Sequence, residues 1–134
     1  MIRGTTHTIA FDCVDILDDE LEHAIDNVLE IEITLTQENN EQASITRLYT
    51  NNECYIDDAT KIVSTVLTPP ETLKFNDKRK AKVQLRILML DYTQQRPYVL
   101  GTFIQMMSVY PTQTEGTFTN LIQNYEGKWG DSNG

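Results

Sequence analysis

Two imidazoles are available for acid–base or metal chemistry, His7 and His23. They lie in different segments, and neither has a cysteine or carboxylate at a recognisable zinc spacing. Both read as ordinary polar residues. No order of Ser, His and Asp, or of Cys and His, points to a nucleophile with its base. The acids Asp15, Asp18, Asp19, Glu20 and Glu22 supply enough oxygen for a hard cation. They lack the EF-hand pattern and the glycine such a loop needs, so a solvated acidic loop is the better reading. The six glycines are scattered, and none forms a phosphate-binding loop. The bases Lys78, Arg79, Lys80 and Lys82 form a short run beside a strand, which suits the decoration of a hairpin. They could also mate with the acidic half of a neighbouring copy. The expectation is a chain without catalytic residues, cofactor or metal, and not an enzyme.

The elements that would position these groups follow from composition and pattern. The 134 residues suit one domain, with 40% hydrophobic and 23% charged residues as in ordinary globular proteins. Collagen, wholesale disorder and disulfide-dense scaffolds are thereby excluded. The formal net charge of −9 argues against a nucleic-acid partner, which needs cations to displace counterions. The charge is uneven: residues 1–58 hold 14 of the 20 acids and two bases, Arg3 and Arg47, while residues 59–134 carry an excess of bases. A chain so divided could stack head to tail, or simply be solvated at both faces. No apolar run approaches the ~18 residues of a membrane span, and the start MIRGTTHTIAF lacks the apolar core of a secretion signal. Cys13 and Cys54 are then expected as free thiols, Cys54 as a small core residue.

Alternation is the strongest signal. Leu29, Ile31, Ile33 and Leu35 alternate with Glu30, Glu32, Thr34 and Thr36, predicting a half-buried strand with one acidic face. Val83, Leu85, Ile87 and Met89 alternate with Lys82, Gln84, Arg86 and Leu88, predicting a second strand with bases where the first has acids. Further strands are expected over Thr6–Cys13, Ala43–Tyr49, Cys54–Ile56 and Lys61–Leu67. Residues 15–26 read as a loop with one helical turn. Thr68-Pro69-Pro70-Glu71 cannot continue a sheet; Thr68 caps one helical turn with Glu71 in capping-box register, and Leu73 and Phe75 plug the core. Tyr98–Tyr110 is apolar on both faces, so it is expected to be covered on both sides. Together these elements predict an all-β antiparallel β-sandwich, Ig-like or jelly-roll-like, over residues 1–110.

Residues 111–134 are expected to form a C-terminal extension, an arm or short helix. Phe118, Leu121, Ile122 and Tyr125 fall at i, i+3, i+4 and i+7, between Thr117 as N-cap and Gly127 as stop. So short a helix does not hold alone in water, so the stripe must dock on its own sandwich or on another chain. With Trp129, the sole tryptophan, these five residues are the candidate partner-binding set.

Two segments carry a resemblance. The opening Met1-Ile2-Arg3-Gly4-Thr5-Thr6, followed by His7-Thr8, resembles the start of small MIRGTT-type virion structural proteins of tailed bacteriophages. Leu67-Thr68-Pro69-Pro70-Glu71-Thr72-Leu73-Lys74-Phe75, followed by the alternating strand Lys82–Leu90, is similar to a second segment of that group, in the same order. The likeness is close over some 25 residues and loose over 1–110. It departs in the acidic stretch at 15–26 and beyond 111. What it implies is a non-enzymatic structural protein that decorates or connects larger particle proteins of the head, neck or tail, with other virion proteins and copies of itself as partners. It implies location in the virion after synthesis in the bacterial cytoplasm, and it carries over no site residues. The alternative is a recognition module for a carbohydrate or host surface protein, using exposed aromatics among Tyr49, Tyr55, Tyr92 and Tyr98.

Overall fold

The computed structural model describes residues 1–17, 25–91 and 93–112. Seven strands run through them: β1 (His7–Asp12), β2 (Val28–Gln37), β3 (Asn40–Leu48), β4 (Tyr55–Ile56), β5 (Ile62–Leu67), β6 (Ala81–Asp91) and β7 (Arg96–Met107). One short helix, α1 (Pro69–Thr72), sits between β5 and β6, and 3-10 turns occupy Ile25–Asn27 and Tyr49–Asn51. The strands form two antiparallel sheets, ordered β1-β5-β4 and β3-β2-β6-β7. The all-β sandwich is therefore present. Its strand order is that of the immunoglobulin-like arrangement B-E-D against C′-C-F-G, rather than the eight strands of a jelly roll.

Period-two burial builds the core. Ile9 and Phe11 of β1 and Val63, Thr65 and Leu67 of β5 face Ile31, Ile33, Leu35, Ala43, Ile45, Val83, Leu85, Ile87 and Met89 of the larger sheet, all buried. The two strongly alternating segments are neighbours. Their acidic and basic faces meet on the outside, where Glu32 is registered opposite Arg86 and accepts from its Nη2 at 2.5 Å. Leu29 breaks the expected pattern. A register shift between Val28 and Glu30 turns it outward, so it is 41% exposed while Ile31, Ile33 and Leu35 are buried.

The segment expected to be covered on both sides is an edge strand. Among the described residues β7 pairs with β6 alone, and Val99, Ile104 and Met106 on its outer face are 55–58% exposed. Its inner face, through Phe103 and Met107, packs on the core. The basic run Lys78–Lys82 does not decorate a hairpin. It lies in the connection from α1 into β6, where Arg79 approaches Glu38 of the β2–β3 turn at 3.6 Å.

The strands also sort the charge. Along the sandwich, β1 and β6 end, and β2, β5 and β7 begin, at one pole. Among the described residues, Asp12, Asp15, Asp26, Asp57, Asp58 and Asp91 lie in or beside its loops, with Lys61 and Arg96 as bases there. At the opposite pole, around α1, the described residues include Arg3, Lys74, Lys78, Arg79, Lys80 and Lys82, with Asp77, Glu38 and Glu41 among them and Glu71 of α1 paired with Arg47. The charge asymmetry along the sequence has thus become an asymmetry between the two ends of a folded body. Among the described residues no helix is long and apolar enough to cross a membrane.

Candidate interaction surfaces

The two segments that carry the sequence resemblance meet in space at the basic pole. Thr72 of α1 accepts a hydrogen bond from the Gly4 N–H at 2.9 Å, and its Oγ1 lies 2.9 Å from the Thr5 carbonyl, to which it donates. Arg3 Nη2 donates to the Leu73 carbonyl at 3.1 Å. Gly4 sits at φ 79°, a left-handed conformation that glycine adopts without steric cost. The N-terminal segment also joins the residues that follow β7, through a parallel bridge between Ile2 and Tyr110. There the Arg3 N–H donates to Tyr110 O at 3.0 Å and the Tyr110 N–H to Met1 O at 2.8 Å.

α1 forms as the capping-box pattern predicts. Proline at the first two helical positions gives up N–H groups that have no backbone partner within a helix. The Glu71 carboxylate reaches back to the Thr68 N–H and accepts from the Thr68 hydroxyl, both at 2.9 Å. Its main partner is not marked by any local pattern in the sequence. Arg47, on the inward face of β3, places Nη2 at 2.5 and 2.6 Å from the two Glu71 oxygens. Their side chains are 6% and 15% exposed. Burial pushes the Glu71 carboxyl up, but the hydrogen bonds and charge of Arg47, with the Thr68 bonds, outweigh it and hold the group below the ordinary value of 4.5. Phe75 is buried as the expected plug, while Leu73 is half-buried. Gln37 completes this pole. Its amide nitrogen donates to the Asn76 and Arg79 carbonyls at 2.7 and 2.9 Å, and its oxygen accepts from Asn76 N–H at 2.9 Å and Asn40 Nδ2 at 2.6 Å.

These contacts spend the polar groups of the pole on joining segments to one another. Chemistry elsewhere is equally inward. Cys13 and Cys54 are free and buried. Burial, with Asp12 beside it, pushes the Cys13 thiol up to about 11; burial, with Glu30 and Glu53, pushes Cys54 up to about 12. Neither thiol is a nucleophile at neutral pH. His7 is held below its ordinary value by burial and by the N-terminal charge, and it stands at the start of β1. Among the described residues no group of three or more His, Cys, Asp and Glu could hold a metal ion.

Among the described residues, exposed apolar side chains lie on both sheets. On the smaller sheet, Tyr55 is 67% exposed and lines a shallow depression with Ile62, Thr60 and Asp57. Of the other candidate tyrosines, Tyr49 and Tyr98 pack against the core, and Tyr92 lies outside the described residues. On the larger sheet, Val99, Ile104 and Met106 follow the outer face of β7. At one end of this line Val99 and Leu88 form a shallow hollow with Glu30, Glu32 and Arg86; at the other, Met106 borders a cleft with Arg79, Lys80 and Lys82. The expected partner-binding residues Phe118, Leu121, Ile122, Tyr125 and Trp129 lie outside the described residues, as do His23 and the acids Asp18, Asp19, Glu20 and Glu22. No protein-family model matches the chain, and no curated protein matches it. The class these observations define is an immunoglobulin-like β-sandwich whose polar interior chemistry is joinery and whose exposed apolar side chains lie on sheet surfaces.

Proposed function

We propose that the protein is a non-enzymatic structural subunit of a tailed-phage particle, decorating or connecting larger particle proteins of the head, neck or tail through subunit contacts. The observation that carries this reading is the interlock of Met1–Thr6 with Thr68–Phe75. Those two segments are the ones similar to virion structural proteins, and here they form one joint that fixes the end of a sandwich. The likeness concerns residues that join the framework of this chain, and it is compatible with a body that acts by its shape and surfaces. The five apolar residues of the C-terminal extension, Phe118, Leu121, Ile122, Tyr125 and Trp129, serve as a partner anchor in this reading.

Quantitative mass spectrometry of purified particles from the source phage or lysogen tests the proposal. Presence near parity with the major capsid protein means head decoration, and a few copies mean neck or tail. Absence from intact particles overturns it. Incorporation of a chain carrying Phe118→Asp and Trp129→Ala tests the anchor: unchanged incorporation removes those residues from the contact.

A further inference from the structure

Among the described residues β7 is the longest edge strand, and its protection is confined to its start. Natural sheets guard their edges with charges, prolines, bulges or short strands, because unpaired N–H and C=O groups template the addition of another strand. β4 has two residues, and β3 carries Gln42, Ser44 and Thr46 outward, with Glu41 exposed and Arg47 inward. β7 has Arg96, Pro97 and a bulge opposite Ile87/Leu88 near its start, and then no charged residue from Tyr98 to Met107. Its outer face there shows Val99, Ile104 and Met106 to solvent.

We propose that β7 is a homodimerisation edge, pairing antiparallel with β7 of a second copy about a two-fold axis near Thr102, so that the two larger sheets become one eight-stranded sheet. This rests on the reading of the chain as an assembly subunit and names one of its partners.

Three features select a second copy in this orientation. The first is apolar matching. With the axis at Thr102, Ile104 of one strand stands opposite Leu100 of the other and Met106 opposite Tyr98, and the uncharged stretch opposes itself with no like-charge pair. Pairing β7 with β3 of the next copy would instead set Val99, Ile104 and Met106 against Ser44 and Thr46.

The second is the charge of the two poles. β7 runs from the acidic pole at Arg96 to the basic pole at Met107. Antiparallel pairing of two copies therefore sets the acidic pole of each beside the basic pole of the other. Translation-related pairing of β7 with β3 would set like poles side by side, which a chain of net charge −9 disfavours. The third is closure. An isologous contact uses the edge up at once and stops at two, whereas a β7–β3 contact propagates.

The contact is a strand edge with three exposed apolar side chains on each copy. It falls below the roughly 1,600 Å² of a standard interface, so the free dimer should dissociate at about micromolar concentration or above. Inside a larger assembly, tethering would make the same contact persistent.

The test is sedimentation equilibrium of the full chain across the micromolar to sub-millimolar range, with Ile104→Lys, Met106→Lys and the β3 control Thr46→Lys. All three positions are exposed, and thermal unfolding of each variant confirms that it folds. The expected result is a reversible dimer, weakened about tenfold or more by each β7 variant, unaffected by Thr46→Lys, and weakened by added salt. Hydrogen exchange should show β7 amides protected in the dimer and released in Ile104→Lys.

A monomer throughout the range overturns the proposal, as does a dimer indifferent to Ile104→Lys. A ladder of higher species abolished by both Ile104→Lys and Thr46→Lys overturns it in favour of β7–β3 pairing. A monomer whose β7 amides are protected until Ile104→Lys is introduced overturns it in favour of the chain's own residues 113–134. Failure here is separable from failure of the virion reading. A monomer that is still found in particles refutes the homodimer alone. A β7-dependent dimer that is absent from particles refutes the virion reading alone.

Discussion

Replacing Glu71 by glutamine should uncouple the basic pole from the sheet beneath it. The substitution keeps the size and one acceptor oxygen but removes the charge. Arg47 Nη2 then loses a partner at 2.5–2.6 Å and retains the Val66 carbonyl at 3.4 Å, while its Nε already has no partner among the described residues. Removing one member of a buried ion pair costs roughly 3–5 kcal/mol. The low end, about 3 kcal/mol, fits a glutamate that is 15% exposed and a replacement that still accepts. For a domain of this size that is a fall in Tm of about 10 °C. Arg47→Met should cost a similar amount, since it strands the carboxylate instead. The double variant Arg47→Met/Glu71→Gln should be more stable than the sum of the two by about 2 kcal/mol, because no buried charge is left unpaired. The pH dependence provides an independent check. Folding lowers the Glu71 pKa below 4.5, so its contribution is complete above 4.5 and is lost as pH falls through the folded value. The gap between wild type and Glu71→Gln, measured by urea unfolding, should therefore narrow below pH 4.5. A gap under about 1 kcal/mol at pH 7, strict additivity in the double variant, or a gap that stays constant in acid would refute the account.

Three further outcomes follow from the same pole and from the core. Thr72→Val should destabilise by about 1–3 kcal/mol, because the Gly4 N–H and Thr5 carbonyl both lose their partner; urea unfolding measures it, and faster exchange of the Gly4 amide should accompany it. Gly4→Ala should cost about 1 kcal/mol or more even with its hydrogen bond intact, because φ 79° is unfavourable for any residue with a Cβ; a neutral result by thermal unfolding would show that the turn relaxes. With thiol pKa values near 11 and 12, Cys13 and Cys54 should react with a disulfide reagent at pH 8 only as fast as the sandwich opens, so mild denaturant should accelerate labelling steeply; rapid labelling of the native protein would contradict their burial.

How far the fold was legible depends on what each residue pattern encodes. Period-two alternation names a buried face, and the pair Ile31–Leu35 and Val83–Met89 was readable because acids on one strand and bases on the other also told which faces lay outward. The Thr68–Glu71 turn was readable because proline and the capping box act within four residues. Arg47 was not, since its partner is 24 residues away and nothing local marks an inward arginine on a strand whose neighbours Thr46 and Ser44 face out. The bulge at Leu29 was hidden for the same reason: one extra residue shifts the pairing and leaves the composition unchanged. β7 shows the general limit most clearly. A strand apolar on both faces meets one condition, that both faces leave water, and the sequence does not say whether the second cover is part of the same chain. Here the sandwich covers Phe103 and Met107 and leaves Val99, Ile104 and Met106 open. Antiparallel pairing with a second copy would leave these side chains on the outside of the joined sheet, flanked by apolar side chains across the seam. In that case the excess hydrophobicity of this segment, which looks like a misplaced core strand in the monomer, is the part of the sequence that encodes assembly.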